Sequence, residues 1–130
     1  MRKAIGVLML IGCLLATAAK AQQGPPYRFG ALGYCQISSL ATAVTVTQAA
    51  CSTFQSYIGA AFNPIAVATI IQICVSGQAI RYASNPALTP TASVGMPVAA
   101  STCFQYSGPI QNLRMIQQAI SATVDIEFFQ

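Results

Sequence analysis

A chain of 130 residues with no histidine and only two Asp or Glu leaves little room for catalysis. Without imidazole there is no Ser-His-Asp or Cys-His arrangement, and the commonest general base and metal ligand are missing. The net charge of +4 invites an anionic partner, yet Arg2, Lys3 and Lys20 supply half of the cations and lie within the first twenty residues.

Those residues have the layout of a secretory signal peptide. Arg2 and Lys3 precede an apolar run from Ala4 to Ala19, and Ala19-Lys20-Ala21 offers small residues at both positions a cleavage site needs. Cleavage after Ala21 is expected, so residues 1–21 are read as a leader and the mature protein as exported, periplasmic or extracellular. A retained membrane helix would need roughly 18 or more apolar residues in a row, so no membrane span is expected in the mature form. A lipoprotein reading rests on Leu10-Ile11-Gly12-Cys13, with Cys13 as the lipid anchor. It would strand Leu14, Leu15 and Ala16 on the mature end.

Residues 22–130 keep Arg28, Arg81 and Arg114 against Asp125 and Glu127. The net charge falls to +1, and no basic patch remains for a phosphate backbone, which argues against nucleic acid. No lysine is left to follow a phosphate loop. Ordinary soluble domains carry about 25% charged residues, so a surface this poor in ions is expected to lie against copies of itself or other structural proteins.

Residues 22–33 read as an extended arm. Gly24-Pro25-Pro26, Gly30 and Gly33 discourage regular structure, while Tyr27, Phe29 and Tyr34 could anchor it on a neighbouring surface. Residues 34–130 read as one all-β domain. Ala43–Thr47 alternates valine with threonine. Residues 66–75 form a long β-branched run, with Ile71, Ile73 and Val75 on one face and Gln72, Cys74 and Ser76 on the other. Gly77 suggests a bulge or tight bend before residues 78–82. Asn85-Pro86 and Thr89-Pro90 mark a loop, and residues 93–98, with Gly95 and Pro97, read as an edge. Residues 102–107 set Phe104 and Tyr106 against Cys103 and Gln105. Residues 113–116 form a short strand. Residues 122–129 close the chain with Val124, Ile126 and Phe128 on one face. Two segments are open to helix: residues 48–61, where one short turn is allowed, and residues 110–120. Short strands recurring between turn signals predict a small antiparallel β-sandwich or jelly-roll-like domain.

Cys35, Cys51, Cys74 and Cys103 follow the leader in even number, which predicts two disulfides in an oxidising compartment. No C-x-x-C pair exists to start a zinc site. Cys74 and Cys103 share the more polar faces of their strands, so they meet if those strands are neighbours. That leaves Cys35 with Cys51. The other two pairings stay open at this level.

The stretch Ile73-Cys74-Val75-Ser76-Gly77-Gln78-Ala79-Ile80-Arg81-Tyr82 resembles a family of small tailed-phage and prophage proteins. So do Pro90-Thr91-Ala92-Ser93-Val94-Gly95-Met96-Pro97 and the ending from Ser121 to Phe129. The resemblance spans roughly residues 66–129. It implies a β-sandwich that serves as a virion component without catalysis. Ala83 to Leu88 departs from the charged, glycine-containing loop of that family, and an exported, cysteine-bearing member would be unusual.

The two acids, Asp125 and Glu127, share one face of a strand about 7 Å apart. That spacing suits glycoside hydrolysis, but a solvated strand face, or ion pairs with Arg81 and Arg114, is the simpler expectation. Arg81 is read either as a contact to a subunit or ligand or as an outward residue paired with an acid, and Tyr82 beside it as a possible interface residue. Tyr27, Tyr57, Tyr82 and Tyr106 could make a stacking surface for a glycan. No catalytic, cofactor-binding or metal-binding residue is expected. The sequence reads as a non-enzymatic structural subunit, phage-derived or virion-like, that self-associates through its β faces and its arm. The alternative is an exported binding module or adhesin for a surface ligand such as a glycan.

Overall fold

The period-two alternation produces nine strands in the computed structural model, which describes residues 30–130. The leader, the Cys13 lipobox, Tyr27 and Phe29 lie outside the described residues. The strands are β1 (Ala31–Ile37), β2 (Val44–Thr45), β3 (Thr53–Ser56), β4 (Ile70–Ser76), β5 (Ile80–Ala83), β6 (Met96–Val98), β7 (Thr102–Tyr106), β8 (Arg114–Gln117) and β9 (Thr123–Phe129). They form a five-stranded sheet of order β3-β1-β9-β4-β7 and a four-stranded sheet of order β2-β8-β5-β6. Every pairing is antiparallel. The two sheets share one core, so the domain is an all-β sandwich.

The inner faces are the apolar faces expected from the alternation. Ile71, Ile73 and Val75 on β4 and Val124, Ile126 and Phe128 on β9 are buried. Opposite them the second sheet contributes Ile80, Met115 and Val98, and the loops add Leu40, Val46 and Leu113. Burying one such side chain is worth roughly 1.5–3 kcal/mol, so the central β9–β4 pair anchors the fold.

Two disulfides staple this core from different sides. Cys35 bonds Cys51 across 16 residues, tying buried β1 to the segment that crosses from one sheet to the other between β2 and β3. Cys74 bonds Cys103 across 29 residues, and the two stand directly opposite on β4 and β7. Loop-closure entropy makes these worth about 3 and about 3.5 kcal/mol. Both pairings are those reached from the alternation.

Four details differ from the sequence reading. The first concerns the arm: residues 31–33, read as part of it, already belong to β1. Gly33 is not a breaker there. A β-carbon on it would stand 2.5 Å from the Gln55 carbonyl and 2.8 Å from Pro64, so glycine allows β1, β3 and the turn at Pro64 to close up. Second, residues 64–67, partly within the long β-branched run, form one helical turn, α1 (Pro64–Val67). Asn63 caps it by accepting from the Ile65 N–H at 3.1 Å, and Pro64 is preset for the first helical position. Third, residues 48–61 hold the one short turn allowed there, a 3-10 turn at Gln48–Ala50, but then supply strand β3, which the sequence reading does not place. Residues 110–120 likewise keep a single 3-10 turn at Ile110–Asn112 before β8. Fourth, the strand predicted at Ala43–Thr47 shrinks to the two residues of β2.

The bend at Gly77 carries the chain from one sheet to the other. Its φ of +75° and the Ser121 carbonyl, 2.1 Å from where a β-carbon would sit, restrict that corner to glycine.

Candidate functional site

The outward residues of the five-stranded sheet fall into register across all five strands. Gln55 on β3 opposes Tyr34 on β1, which opposes Glu127 on β9, which opposes Gln72 on β4, which opposes Gln105 on β7. A second row runs beside it through Thr53, Gln36, Asp125, Cys74 and Cys103. Strand spacing makes each row about 19 Å long, and the rows lie about 7 Å apart. Ile70 and Phe129, also paired, add an apolar end.

The two rows are tied together at their centre. Asp125 Oδ1 accepts from the Tyr34 hydroxyl and from Gln36 Nε2, the latter at 2.8 Å. Burial, and then the hydrogen bond to Asp125, push the Tyr34 hydroxyl up to about 12. Tyr34 is therefore a neutral donor throughout the physiological range. The first row is held less. The Gln72 amide reaches only the Cys74 sulfur, at 3.9 Å. Gln72 also borders the shallow depressions of this face, one toward Tyr34 and Asp125, one toward Ile70 and Phe129, and one along Gln105. The face thus offers amide, phenol and carboxylate heads on a flat support.

The opposite outer face, on the four-stranded sheet, is built otherwise. Residues 84–95 fold over it. Arg81 donates from Nε to the Ala92 carbonyl at 3.0 Å and from Nη1 to the Gly95 carbonyl at 2.8 Å. Arg114 Nη1 donates to Thr89 Oγ1 at 3.0 Å. Ala83 is buried beneath this loop, and Pro90 within the loop is buried too. At Gly95, φ is +116° and a β-carbon would press on the Tyr82 carbonyl at 2.9 Å.

These contacts correct the reading of Arg81 and Arg114 as partners of Asp125 and Glu127. The acids and the arginines project from different sheets, and the Arg81 guanidinium is spent on loop carbonyls. Tyr82 lies on the inner side of β5, half-buried, its ring stacked on Phe104 of β7 with centroids 5.1 Å apart. The two rings line an apolar groove with Met96, Pro97 and Val98, where edge strands β6 and β7 part. Among the described residues the expected tyrosine surface is not assembled. Tyr82 and Tyr106 pack against the core, Tyr106 donating to the Pro109 carbonyl at 3.3 Å, and Tyr57 is exposed beyond the end of β3. Tyr34, which sequence reasoning used only as an aromatic anchor, is the tyrosine on the open face. Its signal was the alternation of Tyr34 and Gln36 with Cys35 and Ile37.

Among the described residues no group of three or more His, Cys, Asp or Glu is placed to hold a metal ion. No described helix is long and apolar enough to cross a membrane. The two disulfides are compatible with an oxidising, exported environment. Searches of protein-family models, curated proteins and solved structures find no match to the chain.

Proposed function

We propose that the chain is a non-enzymatic structural subunit that works by self-association, with the outer face of its five-stranded sheet as the contact surface. The observation that carries this reading is the double row of outward heads spanning five strands, uncovered by any described segment. A chain with charged residues at only 6% has little ionic surface to keep such a face apart from other copies. The resemblance to small phage β-sandwich proteins gives the same expectation of an assembling, non-catalytic part.

Light scattering on the exported, disulfide-bonded protein across a concentration series tests this. Mass that rises with concentration, with no ligand added, is the expected result. A monomer at every concentration overturns it. The amide and phenol heads of Gln72, Gln105 and Tyr34 also suit the hydroxyls of a glycan, which is the second reading. It requires a monomer that a polysaccharide matrix retains and that Gln72→Ala releases.

A further inference from the structure

The charges of the folded domain are sorted between its two outer faces. Asp125 and Glu127, the only Asp and Glu of the chain, both project from β9 on the open face. Arg81 and Arg114 are the cationic side chains among the described residues, and both lie on the loop-covered back, on β5 and β8. Packed sheets stand about 10 Å apart. A negative pair and a positive pair are thus held apart by the thickness of the sandwich.

We infer that the open face is covered by the loop-clad back of a second copy, so that subunits stack face to back. This rests on the self-association proposed above and adds its geometry. Two open faces meeting would set four carboxylates of like charge against one another, and two backs meeting would do the same with arginines. Like-charge juxtaposition of that kind is how interfaces reject wrong partners. Only face to back brings opposite signs together. The contact also matches in hydrogen bonding. The open face presents the amides of Gln55, Gln72 and Gln105, and the back presents the exposed backbone and hydroxyls of residues 84–94. Such a contact is heterologous: each copy uses two different surfaces, and one of each stays free at the ends of a stack. It therefore propagates into a ring or a filament rather than stopping at a dimer.

Arg114 is the better probe of the back, because Arg81 uses two of its nitrogens to hold the loop. Sedimentation velocity on protein produced from the full-length gene and purified from the exported fraction gives the readout. The wild type should form species larger than a dimer that shrink as salt rises. Glu127→Arg and Arg114→Glu should each weaken association by at least about tenfold. Mixed in equal amounts, these two variants should recover assembly. The intact back of one meets the intact face of the other, and the two reversed surfaces carry opposite signs and meet in turn. Thr89→Val removes the Arg114 hydrogen bond without altering charge, and it should assemble like the wild type.

Assembly abolished by Glu127→Arg but untouched by Arg114→Glu would mean that like faces meet. That overturns the stacking while leaving self-association in place. Assembly lost in Thr89→Val would assign the Arg114 effect to the loop and overturn it equally. A wild type that is monomeric at every concentration overturns both the stacking and the function it rests on. Circular dichroism on each variant keeps a misfolded chain from being counted as a dissociated one.

Discussion

The outer face of the four-stranded sheet is roofed by residues 84–95, whereas no described segment lies over that of the five-stranded sheet. Both faces come from the same alternation of apolar and polar residues, yet their polar groups have different fates. On the roofed face Arg81 gives two nitrogens to the Ala92 and Gly95 carbonyls, while Arg114 gives only one, to the Thr89 hydroxyl. On the open face Asp125 is satisfied by Tyr34 and Gln36, but the glutamines of the row through Gln72 are left with one weak contact to sulfur. A polar side chain whose donors are all used within the fold is a structural part. One whose head is left outward is available to something else. By that criterion Arg81 is a finished piece of the fold, whereas the open face, and Arg114 on the roofed one, are left to a partner.

The sharpest way to break the contrast is to loosen the support of the open face. Edge strand β7 pairs only with β4, and the Cys74–Cys103 bond is its one covalent tie to the sheet. Replacing both cysteines by serine should cost about 2–4 kcal/mol of stability, the largest effect expected here. Urea unfolding of the two forms measures it. The loss should come with faster amide exchange along Thr102–Tyr106, while the roofed sheet keeps its protection. Uniform loss of protection in both sheets would show that the open face has no separate support.

The roof is the next target. Arg81→Met keeps the aliphatic stem but leaves the Ala92 and Gly95 carbonyls without their charged donor. Hydrogen bonds to charged groups are worth about 1.5–3 kcal/mol, so a loss in that range is expected. In a domain of this size that is a fall of roughly 4–8 °C in melting temperature for each kcal/mol. Limited proteolysis should then cut within residues 84–95 first. If the loop stays protected and the melting point is unchanged, Arg81 does not hold the roof, and its outward-facing roles return.

How much of this contrast was legible from residues alone depends on the range of the interaction. The faces of β4 and β9 could be read directly, because Ile71-Ile73-Val75 and Val124-Ile126-Phe128 repeat every second residue and burial follows that repeat. The Cys74–Cys103 bond followed from two such faces and one assumption of adjacency. Strand β3 was missed because Ala49, Ala50, Ala60 and Ala61 around it dilute the β signal. Its pairing with β1, not its own propensity, makes it a strand. The beginning of β1 was hidden because Gly33 looks like a breaker in sequence, and only the approach of Gln55 and Pro64 reveals its use. The row from Gln55 to Gln105 could not be read at all. Each of its five residues was outward in its own strand, but bringing them into line requires the order β3-β1-β9-β4-β7, which is set by pairings across the whole chain. The partners of Arg81 were misjudged for a related reason. With only two acids in the chain, an ion pair was the obvious match, but the path of the loop puts carbonyls nearer.

The smallest effect tests the one part of the open face that the chain does satisfy. Tyr34→Phe removes the hydroxyl that donates to Asp125 and should cost about 0.5–1.5 kcal/mol near neutral pH, the range of a single hydrogen bond. Its pH dependence has a definite sign. The folded protein holds the Tyr34 proton up to about 12, against an ordinary value of 10.0. Between those limits the folded state binds more protons than the unfolded one, so stability falls as pH rises. The contribution of the hydroxyl is complete below pH 10 and is lost on the way to pH 12. The wild type and Tyr34→Phe should therefore converge in stability across that window. A tyrosinate absorbance titration gives an independent check. Tyr34→Phe should delete a late-titrating phenol, while Tyr106, also raised by burial, still titrates above the ordinary value. A stability gap that persists unchanged to pH 12 would mean that the Tyr34 hydroxyl contributes by something other than the proton it gives Asp125. The centre of the open face would then be as free to meet a partner as the row of glutamines beside it.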